Sequence, residues 1–335
     1  MSIPQTQKVV LIDGNSDTFE VVKYADSPVP KISSSDILVK NLYAGVNFIE
    51  AYFRKGYYPA QFPYTLGREA SAEVVQVGDE VTNYKVGDKV IYTQAGSFAQ
   101  YSKIDSKSPL MSKLPDNVTN EQLKLYGSML IQTTTAYTFA EETYNVQPND
   151  YCLVWAAAGG VGQVLVQILH ARGAKVIALA SSDDKLQLSK ELGADYVINY
   201  KTEDVVAKVK EFTNGEGVRV SFDSVGAATW QTSIDSLAVG GHFISYGNSS
   251  GKVDPISIYS LTPKCLTLSR PTRDPYMRLP GKYDYYFGKI LGDLDTGVLK
   301  LPQPQEYKLG DYVEVAKLLE SGKTTGKFVL NCQDI

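Results

Sequence analysis

A glycine-rich hexad is the segment of this sequence whose residue types and spacing point most directly to chemistry. Ala157-Ala158-Gly159-Gly160-Val161-Gly162 stands between a predicted strand and a predicted helix. It fits the pattern G-x-G-x-x-G with Ala157 in place of the first glycine. In this context Gly159 lets the backbone approach a pyrophosphate, and Gly162 lets the helix pack close to the strand. The hexad therefore predicts a dinucleotide site at Gly159, Gly160, Val161 and Gly162.

The hexad stands at the head of an alternating series of predicted strands and helices. The predicted strands are 152–156, 175–180, 196–199, 219–223 and 242–246, and the predicted helices are 161–172, 183–192, 203–212 and 229–238. Such alternation is typical of a doubly wound parallel sheet, since only crossover helices cover both of its faces. The series turns a weak motif into a strong indication of a dinucleotide-binding α/β fold.

The end of the second predicted strand indicates which dinucleotide binds. An NAD site usually has Asp or Glu there to bind the ribose 2′-hydroxyl, whereas this strand ends Leu179-Ala180-Ser181-Ser182. The side chains available to bond a 2′-phosphate are those of Ser181, Ser182, Lys185 and Tyr200. Asp183 and Asp184 keep NAD open as the alternative, but the helix that starts there uses Asp as an N-cap and first-turn acid. The sequence favours NADP.

The first 126 residues have a different rhythm, of short strands separated by turns. Strands are predicted at 37–40, 72–77 and 89–92, with Gly78-Asp79 and Gly87-Asp88 as turns. This part is predicted to be an all-β module with few helices. After about residue 272 the sequence is rich in Pro and Tyr, and then predicts a helix over 311–321 and a strand over 328–330.

Composition limits the classes of protein that remain. A chain of 335 residues implies two domains at about 150 residues each. With 33 Lys plus Arg against 37 Asp plus Glu, the chain has no global basic field for nucleic acid or anionic lipid. His170 and His242 are far apart, and the three cysteines, Cys152, Cys265 and Cys332, show no C-x-x-C spacing. A structural zinc site and a disulfide framework are not expected.

No targeting segment is recognised in the sequence. The apolar run at 8–12 is too short for a signal peptide, and the uncharged stretch at 151–169 contains three glycines and two glutamines. That stretch is better explained as a buried strand that turns into a helix. Unpaired cysteines without a leader predict a cytoplasmic protein.

Several further segments carry recognisable sequence patterns. They are the hexad with its strand, Phe222-Asp223-Ser224-Val225-Gly226, and the segments at 245–251, 45–50, 67–71 and 132–136. Together these segments resemble the medium-chain dehydrogenase/reductases, and more narrowly the zeta-crystallin-like NADPH:quinone oxidoreductases. The resemblance covers nearly the whole chain. It implies an α/β protein with a GroES-like β domain, residues 1–126 and 272–335, and an inserted Rossmann NADP-binding domain, residues 127–271. It also implies an active-site cleft between the domains and a homodimer that pairs through the edge of the Rossmann sheet.

The resemblance gives meaning to the scarcity of metal ligands. The zinc-dependent alcohol dehydrogenase branch has a Cys where Asn47 stands, a His where Arg68 stands, and a four-Cys lobe that this chain lacks. The Lewis acid that polarises an alcohol oxygen is therefore not expected, and neither is alcohol oxidation. No metal site is predicted.

The resemblance places Asn47, Tyr52 and Tyr58 beside the nicotinamide as catalytic residues. Hydride transfer to a quinone creates an oxyanion, which needs hydrogen-bond donors and a proton source. Asn47 is predicted to polarise the acceptor oxygen, and a tyrosine hydroxyl is predicted to donate. The structural alternative is core packing, because seven of the 17 residues from Phe48 to Tyr64 are aromatic.

Further cofactor contacts follow from the resemblance alone. They are Thr135 and Thr138 near the nicotinamide and its ribose, and Val225, Tyr246, Gly247, Asn248, Ser249 and Arg270 in segments that flank the cofactor. The alternative is that Arg270 is only a charged residue on the surface and does not contact the cofactor. Many relatives carry an Arg near the last strand, where this chain has Gly322. Either Lys323 or Lys327 replaces that charge, or the preference for NADP is weaker than in the family.

The motifs and the resemblance together imply an NADPH-dependent quinone reductase that transfers hydride from the nicotinamide to a small quinone without zinc. Two alternatives stay open. One is reduction of the activated C=C bond of an enal or enone. The other is a binding role, since relatives of this kind serve as lens crystallins and some bind AU-rich RNA. The sequence has no basic or RNP-like stretch to support RNA binding.

Overall fold

The computed structural model describes residues 3–333, and these residues form two compact units. The first unit comprises the chain up to Ile131, Met277–Tyr285 and the chain from Pro302 onward. The second comprises Gln132–Tyr276 and Tyr286–Leu301. Residues 272–276 and 286–301, predicted for the β domain, fall in the second unit, and residues 127–131, predicted for the Rossmann domain, fall in the first. Within the second unit the Tyr286 hydroxyl donates to Glu142 Oε1 at 2.8 Å, and Lys289 pairs with Glu141.

The bounds of the elements are as follows. The strands are β1 Thr6–Ile12, β2 Val22–Pro28, β3 Asp36–Val46, β4 Tyr64–Thr65, β5 Ala70–Val77, β6 Lys89–Tyr92, β7 Tyr101–Asp105, β8 Met111–Lys113, β9 Tyr151–Val154, β10 Lys175–Ala180, β11 Tyr196–Asn199, β12 Val218–Asp223, β13 Leu237–Ser245, β14 Thr267–Ser269, β15 Gln305–Lys308 and β16 Phe328–Asn331. The α-helices are α1 Ile49–Arg54, α2 Asn120–Thr138, α3 Gly160–Ala171, α4 Asp183–Glu191, α5 Val205–Phe212, α6 Trp230–Ser236, α7 Arg273–Met277, α8 Lys282–Asp295 and α9 Tyr312–Glu320.

The first unit is built on two β-sheets. A three-stranded sheet has the order β2-β1-β4, and a seven-stranded sheet has the order β15-β16-β3-β5-β6-β8 with β7 paired to β3. Strand β16 runs antiparallel to β3, with Phe328 opposite Val46. This register brings the chain just before the last strand beside Asn47, some 280 residues earlier. The β-rich character expected for this part is confirmed.

The second unit contains a six-stranded sheet in the order β11-β10-β9-β12-β13-β14, in which every neighbouring pair is parallel. Strand β9, the first strand of this sheet along the chain, lies in the middle, and the strand order reverses direction there. This is the arrangement of a doubly wound nucleotide-binding sheet, whose ligands bind at the carboxyl ends of the strands near the reversal. The predicted α/β fold class is confirmed.

Three of the helices given above were not predicted: α1, α7 and α8. Helix α1 is only six residues long. Helix α2 is the helix expected at the junction, but Thr135 and Thr138 lie at its end instead of at its start. Helix α8 lies in the segment that was described only as rich in Pro and Tyr, although its buried residues follow the helical spacing i, i+3, i+4, i+7: Tyr283, Tyr286, Phe287 and Ile290. Within residues 3–333, no helix has both the length and the apolar character needed to cross a bilayer.

Candidate functional site

The glycine hexad forms the turn from β9 into α3. Helix α3 begins at Gly160, and Gly159 precedes it in an extended conformation. A Cβ on Gly162 would lie 2.3 Å from the Ala156 carbonyl oxygen and 2.7 Å from Ala157 Cα, so no side chain fits there. The residue before the hexad, Ala156, has a left-handed backbone conformation, with φ of 50°. The backbone N–H groups of the first turn of α3 lack partners within the helix and are the groups that bind phosphate at such turns.

A second cluster of predicted residues lies at the neighbouring strand ends. Ser182 is the N-cap of α4, and its hydroxyl makes no capping hydrogen bond. The expectation that an Asp is the N-cap of this helix was wrong. Asp183 and Asp184 are both exposed acids of its first turn, as predicted. Ser181 immediately follows β10, and the Tyr200 ring, just after β11, lies 5.7 Å from the Trp155 ring.

Lys185 stands one turn into α4 and is half-buried. Burial lowers the pKa of its ammonium group, and the positive charge of Lys201 lowers the pKa further. Two cations that repel each other beside Ser181 and Ser182 favour a bound anion, which would offset the repulsion. Lys201 was not among the predicted residues, because no motif marks it and only the fold brings its charge near Lys185.

The ends of β12, β13 and β14 are braced by buried hydrogen bonds. Asp223 is fully buried, and its Oδ1 accepts from the N–H groups of Val225 and Gly226 at 2.8 and 3.0 Å. Arg270 donates to Ser245 Oγ at 2.9 Å and to the Gly247 carbonyl at 3.1 Å. Arg270 thus holds the end of β13 in place instead of serving as a free surface charge. Asp223 is a positioning residue that the sequence analysis did not single out.

The end of α2 carries two of the predicted cofactor contacts, Thr135 and Thr138, and the residue after it packs near the end of β13. The Phe139 ring packs against the Tyr246 ring with centroids 5.3 Å apart. Thr135 is 9% exposed, whereas Thr138 is fully buried and its hydroxyl donates to the Thr134 carbonyl at 2.6 Å. Asn248 is buried and Ser249 is exposed. The contacts predicted between these residues and a cofactor remain predictions.

Asn47 lies in the first unit at the centre of a buried polar network. Its amide nitrogen Nδ2 donates to the Gly45 carbonyl at 3.2 Å and to Glu69 Oε1 at 2.8 Å. Its Oδ1 accepts from Lys327 Nζ at 2.6 Å, and Lys327 Nζ also lies 3.0 Å from Glu69 Oε1. Because an ammonium has no lone pair, the amide atom facing it must be the oxygen, which fixes the orientation of the amide. Both amide hydrogens of Asn47 are therefore already bonded within the protein.

Glu69 anchors this network. Its side chain is fully buried, its Oε1 meets Asn47 and Lys327, and its Oε2 accepts from the Ile131 N–H at 2.8 Å. A Cβ on Gly45 would lie 2.4 Å from Glu69 Oε1, so the glycine leaves the space that the carboxylate occupies. The carboxylate has a charge partner and directional donors, which is what a buried ion needs.

Glu50 adds a second buried carboxyl group next to Asn47. Its Oε2 accepts from the Asn47 backbone N–H at 2.9 Å, and its Oε1 has no hydrogen-bond partner. Burial raises the pKa of Glu50 to about 8, against smaller lowering effects from hydrogen bonds and from Lys327 and Arg68. At neutral pH the Glu50 carboxyl is therefore largely protonated.

This raised pKa predicts a pH dependence of stability. Between the ordinary pKa of 4.5 and the folded value of about 8, the folded state binds more protons at Glu50 than the unfolded state does. The Glu50 contribution to the free energy of unfolding therefore falls as pH rises through this window, by up to about 1.4 kcal/mol per pH unit, and levels off above it. Urea titrations of the wild type and of Glu50→Gln at several pH values measure this, since Gln cannot titrate. Equal slopes for the two proteins would contradict the assignment.

The two predicted catalytic tyrosines belong to one aromatic cluster. Tyr52 is on α1 and 7% exposed, and its ring lies 5.5 Å from Phe48 and 5.6 Å from Tyr58. Tyr58 also packs against Phe53, with centroids 5.7 Å apart. The structure thus brings Tyr52 and Tyr58 together and links them to Asn47 through Phe48. Core packing explains why aromatic rings stand at Tyr52 and Tyr58. That their hydroxyl groups donate a proton stays a prediction.

The two lysines considered as replacements for a family arginine are placed differently. Lys327 is bound to Asn47 and Glu69, and its side chain is 10% exposed. Lys323 is exposed. Of the two, Lys323 is therefore the one whose charge faces solvent. In residues 3–333, no three His, Cys, Asp or Glu side chains are grouped so that they could hold a metal ion.

Known protein families match segments of both units. The family model described as "Alcohol dehydrogenase GroES-like domain" matches residues 33–116, and the one described as "Zinc-binding dehydrogenase" matches residues 160–273. A probable quinone oxidoreductase of Schizosaccharomyces pombe is 37% identical and covers 94% of this chain and 94% of its own. A 2-haloacrylate reductase of a Burkholderia species is 32% identical, with 95% of this chain and 96% of its own covered.

A solved structure extends this likeness to three dimensions. The crystal structure of Escherichia coli quinone oxidoreductase complexed with NADPH has a TM-score of 0.91, 32% identity, and coverage of 97% of this chain and 99% of that one. The sequence identity, the coverage and the shared fold lead to one conclusion. The chain belongs to the quinone oxidoreductase family of the medium-chain dehydrogenase/reductase superfamily.

Proposed function

We propose that this protein is an NADPH-dependent oxidoreductase that reduces a small quinone without zinc. The observation that carries the proposal is the carboxyl edge of the parallel sheet, where a turn that excludes any side chain at Gly162 lies next to Ser181, Ser182 and the Lys185–Lys201 pair. Relatives named as quinone oxidoreductases, one of them solved with NADPH, support the same assignment.

The residues present fit NADPH at both of its phosphate positions. The Gly159–Gly162 turn has no side chain at Gly159 or Gly160 to cover its backbone, and Gly162 lets α3 pack against the end of β9, because a Cβ there would clash with Ala156 and Ala157. Ser181, Ser182 and Lys185, with Lys201 beside them, would hold the 2′-phosphate, and Ala180 brings no acid to repel it. Dissociation constants for NADPH and NADH test this half of the proposal. Comparable affinities would contradict it.

The proposed reduction of a quinone depends on proton and hydrogen-bond donors in the first unit. When bound, NADPH would supply a hydride, which is two electrons and one proton, and a quinone needs one further proton to become a hydroquinone. The Tyr52 and Tyr58 hydroxyls would deliver that proton and take it back from water. The buried network at Asn47 would provide the polar wall of the site.

The same network supports the proposal that no zinc takes part. Asn47 and Arg68 stand where the zinc branch has Cys and His. In this structure Asn47 Oδ1 and Glu69 Oε1 already hold the Lys327 ammonium. A dication at these oxygens would meet the charge of Lys327 at close range, which is strongly unfavourable in a buried site.

One alternative acceptor has a specific observation in its favour. The 2-haloacrylate reductase relative is similar over nearly the whole of both chains, and its name describes reduction of an unsaturated acid. The donors proposed for a quinone oxyanion would serve equally for the enolate formed from an enal or enone. Homodimer formation and RNA binding remain predictions.

The test follows NADPH oxidation spectroscopically with a quinone and an enone side by side. Turnover with the quinone supports the proposal, turnover with the enone alone favours the alternative, and turnover with neither contradicts both. For the proton donors, the double variant Tyr52→Phe/Tyr58→Phe is expected to lower kcat with the quinone by about 100-fold, the usual effect of losing a positioned general acid. Unchanged turnover in a folded double variant would rule out both hydroxyls as the donor.

A further inference from the structure

The Asn47 network raises a question about which group donates to the acceptor. Asn47 was predicted to polarise the acceptor oxygen, but an amide has two N–H groups, and both are bonded here to Gly45 and Glu69. To donate elsewhere, Asn47 would have to abandon a buried carboxylate or a carbonyl. Leaving such an acceptor unsatisfied costs about 1 to 3 kcal/mol, and more for a charged one.

Lys327 has the donor capacity that Asn47 lacks. An ammonium has three N–H groups; one donates to Asn47 Oδ1 at 2.6 Å, and Lys327 Nζ is paired with the charge of Glu69 at 3.0 Å from Oε1. At least one N–H therefore remains that can donate to a further acceptor. The Lys327 side chain keeps 10% of its surface exposed, so the group is held firmly but is not sealed off.

We propose that Lys327, and not the Asn47 amide, donates the hydrogen bond that stabilises the negative charge formed on the acceptor oxygen. Asn47 and Glu69 act as positioning residues that hold the ammonium. This proposal rests on the proposed function and names a further catalytic residue for it.

The fixed position of Lys327 is what makes it effective. Hydrogen bonds from a charged donor are stronger than those from an amide, and a donor already oriented needs no reorganisation during the reaction. The orientation comes from the pairing of β16 with β3, which places the residue before Phe328 next to Asn47. Glu69, held in turn by the Ile131 N–H, prevents the lysine from swinging into solvent.

The electron and proton balance requires no other reagent. The acceptor takes a hydride and becomes an anion, and the nicotinamide loses two electrons and one proton. Lys327 keeps its own proton throughout and only shares it in a hydrogen bond with the anion. The final proton on the acceptor comes from water through the tyrosine hydroxyls proposed above.

The experiment compares Lys327→Met, Lys327→Arg and the matched control Lys107→Met, an exposed lysine of the same unit. Each is assayed at one pH with NADPH and a series of para-quinones whose substituents vary the basicity of the reduced oxygen. Lys327→Met is expected to lower kcat by about 100-fold, the effect of removing one oxyanion donor, with KM changed less than threefold. The loss should grow with the basicity of the reduced oxygen, and Lys327→Arg should restore part of it.

Other results would overturn the proposal. A loss in Lys327→Met that is the same for every quinone would indicate a structural effect, and full activity would show that the lysine is not the donor. If Lys327→Met does not fold, Lys327→Met/Glu69→Gln removes the unpaired buried carboxylate and is tested in the same way. Lack of turnover by the wild type with every quinone would contradict the proposed function itself, whereas an active wild type with an unaffected Lys327→Met contradicts only the role of Lys327.

Discussion

Replacing Gly162 with Ala is expected to raise the dissociation constant for NADPH by about tenfold or more and to destabilise the second unit. The added Cβ would lie 2.3 Å from the Ala156 carbonyl oxygen and 2.7 Å from Ala157 Cα. Both contacts are with backbone atoms, so no side-chain rotation relieves them. Helix α3 must shift away from the turn, and its first N–H groups move with it.

The size of the effect follows from these contacts. Overpacking a tight interior costs about 1 to 3 kcal/mol, and each 1.4 kcal/mol lost from binding is a tenfold change in affinity. Trp155 lies seven residues before Gly162 and is buried, so its fluorescence reports both the unfolding of this unit and the binding of NADPH.

Gly288→Ala provides the matched control for the same chemical change. Gly288 lies within α8 at an exposed position, its added Cβ would have no atom within 4 Å, and its φ is not positive. The substitution should stabilise the helix by up to about 1 kcal/mol and leave NADPH binding unchanged. Equal behaviour of the two variants would show that the close approach at Gly162 does not matter.

Much of the second unit could be predicted from the sequence because each of its strands and helices is marked by a pattern within its own few residues. A short hydrophobic run predicts each strand from β9 to β12, and an amphipathic period predicts each helix from α3 to α5. The exceptions have visible causes. Strand β13 starts at Leu237, five residues before the predicted start, because a register irregularity lies between the pairs Val218–Leu237 and Val220–His242. Lys201 was missed because its importance lies in its distance from Lys185, not in any motif.

The candidate acceptor site could be predicted only in part because its contacts are distant in sequence. The types Asn47, Tyr52 and Tyr58 were recognised by resemblance, but their partners depend on tertiary structure. Lys327 is 280 residues from Asn47, and the pairing of β16 with β3 decides that they meet. The buried state of Glu50 is equally invisible in sequence, since its position on a short helix gives no period from which burial can be inferred.

Replacing Arg54 with Leu is expected to lower the free energy of unfolding by about 3 kcal/mol, the low end of the cost of removing one partner of a buried ion pair, because the remaining Glu320 side chain is 18% exposed. Arg54 ends α1 and is fully buried. Its guanidinium donates two hydrogen bonds of 2.7 Å to the Glu320 carboxylate. It also donates to the carbonyls of Ser16, Asp17 and Thr18. Leu fills similar apolar space but makes none of these five hydrogen bonds, which leaves the Glu320 carboxylate with Lys55 as its one remaining charge partner of the two.

The position of Arg54 connects this loss to the acceptor site. Tyr52 lies two residues earlier on the same six-residue helix, and Arg54 ties that helix to α9 and to the loop at 16–18. A helix this short has little stability of its own, so its place depends on such tertiary contacts. We therefore expect Arg54→Leu to raise KM for the quinone as well, while the affinity for NADPH, whose proposed site is in the other unit, stays the same.

Lys55→Met tests whether the effect belongs to the buried pair or to any cation near Glu320. Lys55 Nζ lies 3.4 Å from Glu320 Oε2, but its side chain is 26% exposed, against 0% for Arg54. Partly exposed ion pairs contribute at most about 1 kcal/mol, so Lys55→Met should change the urea midpoint only slightly. Circular dichroism during urea titration measures both variants. A similar loss for the two would mean that charge alone, and not the five buried hydrogen bonds of Arg54, holds α1 in place.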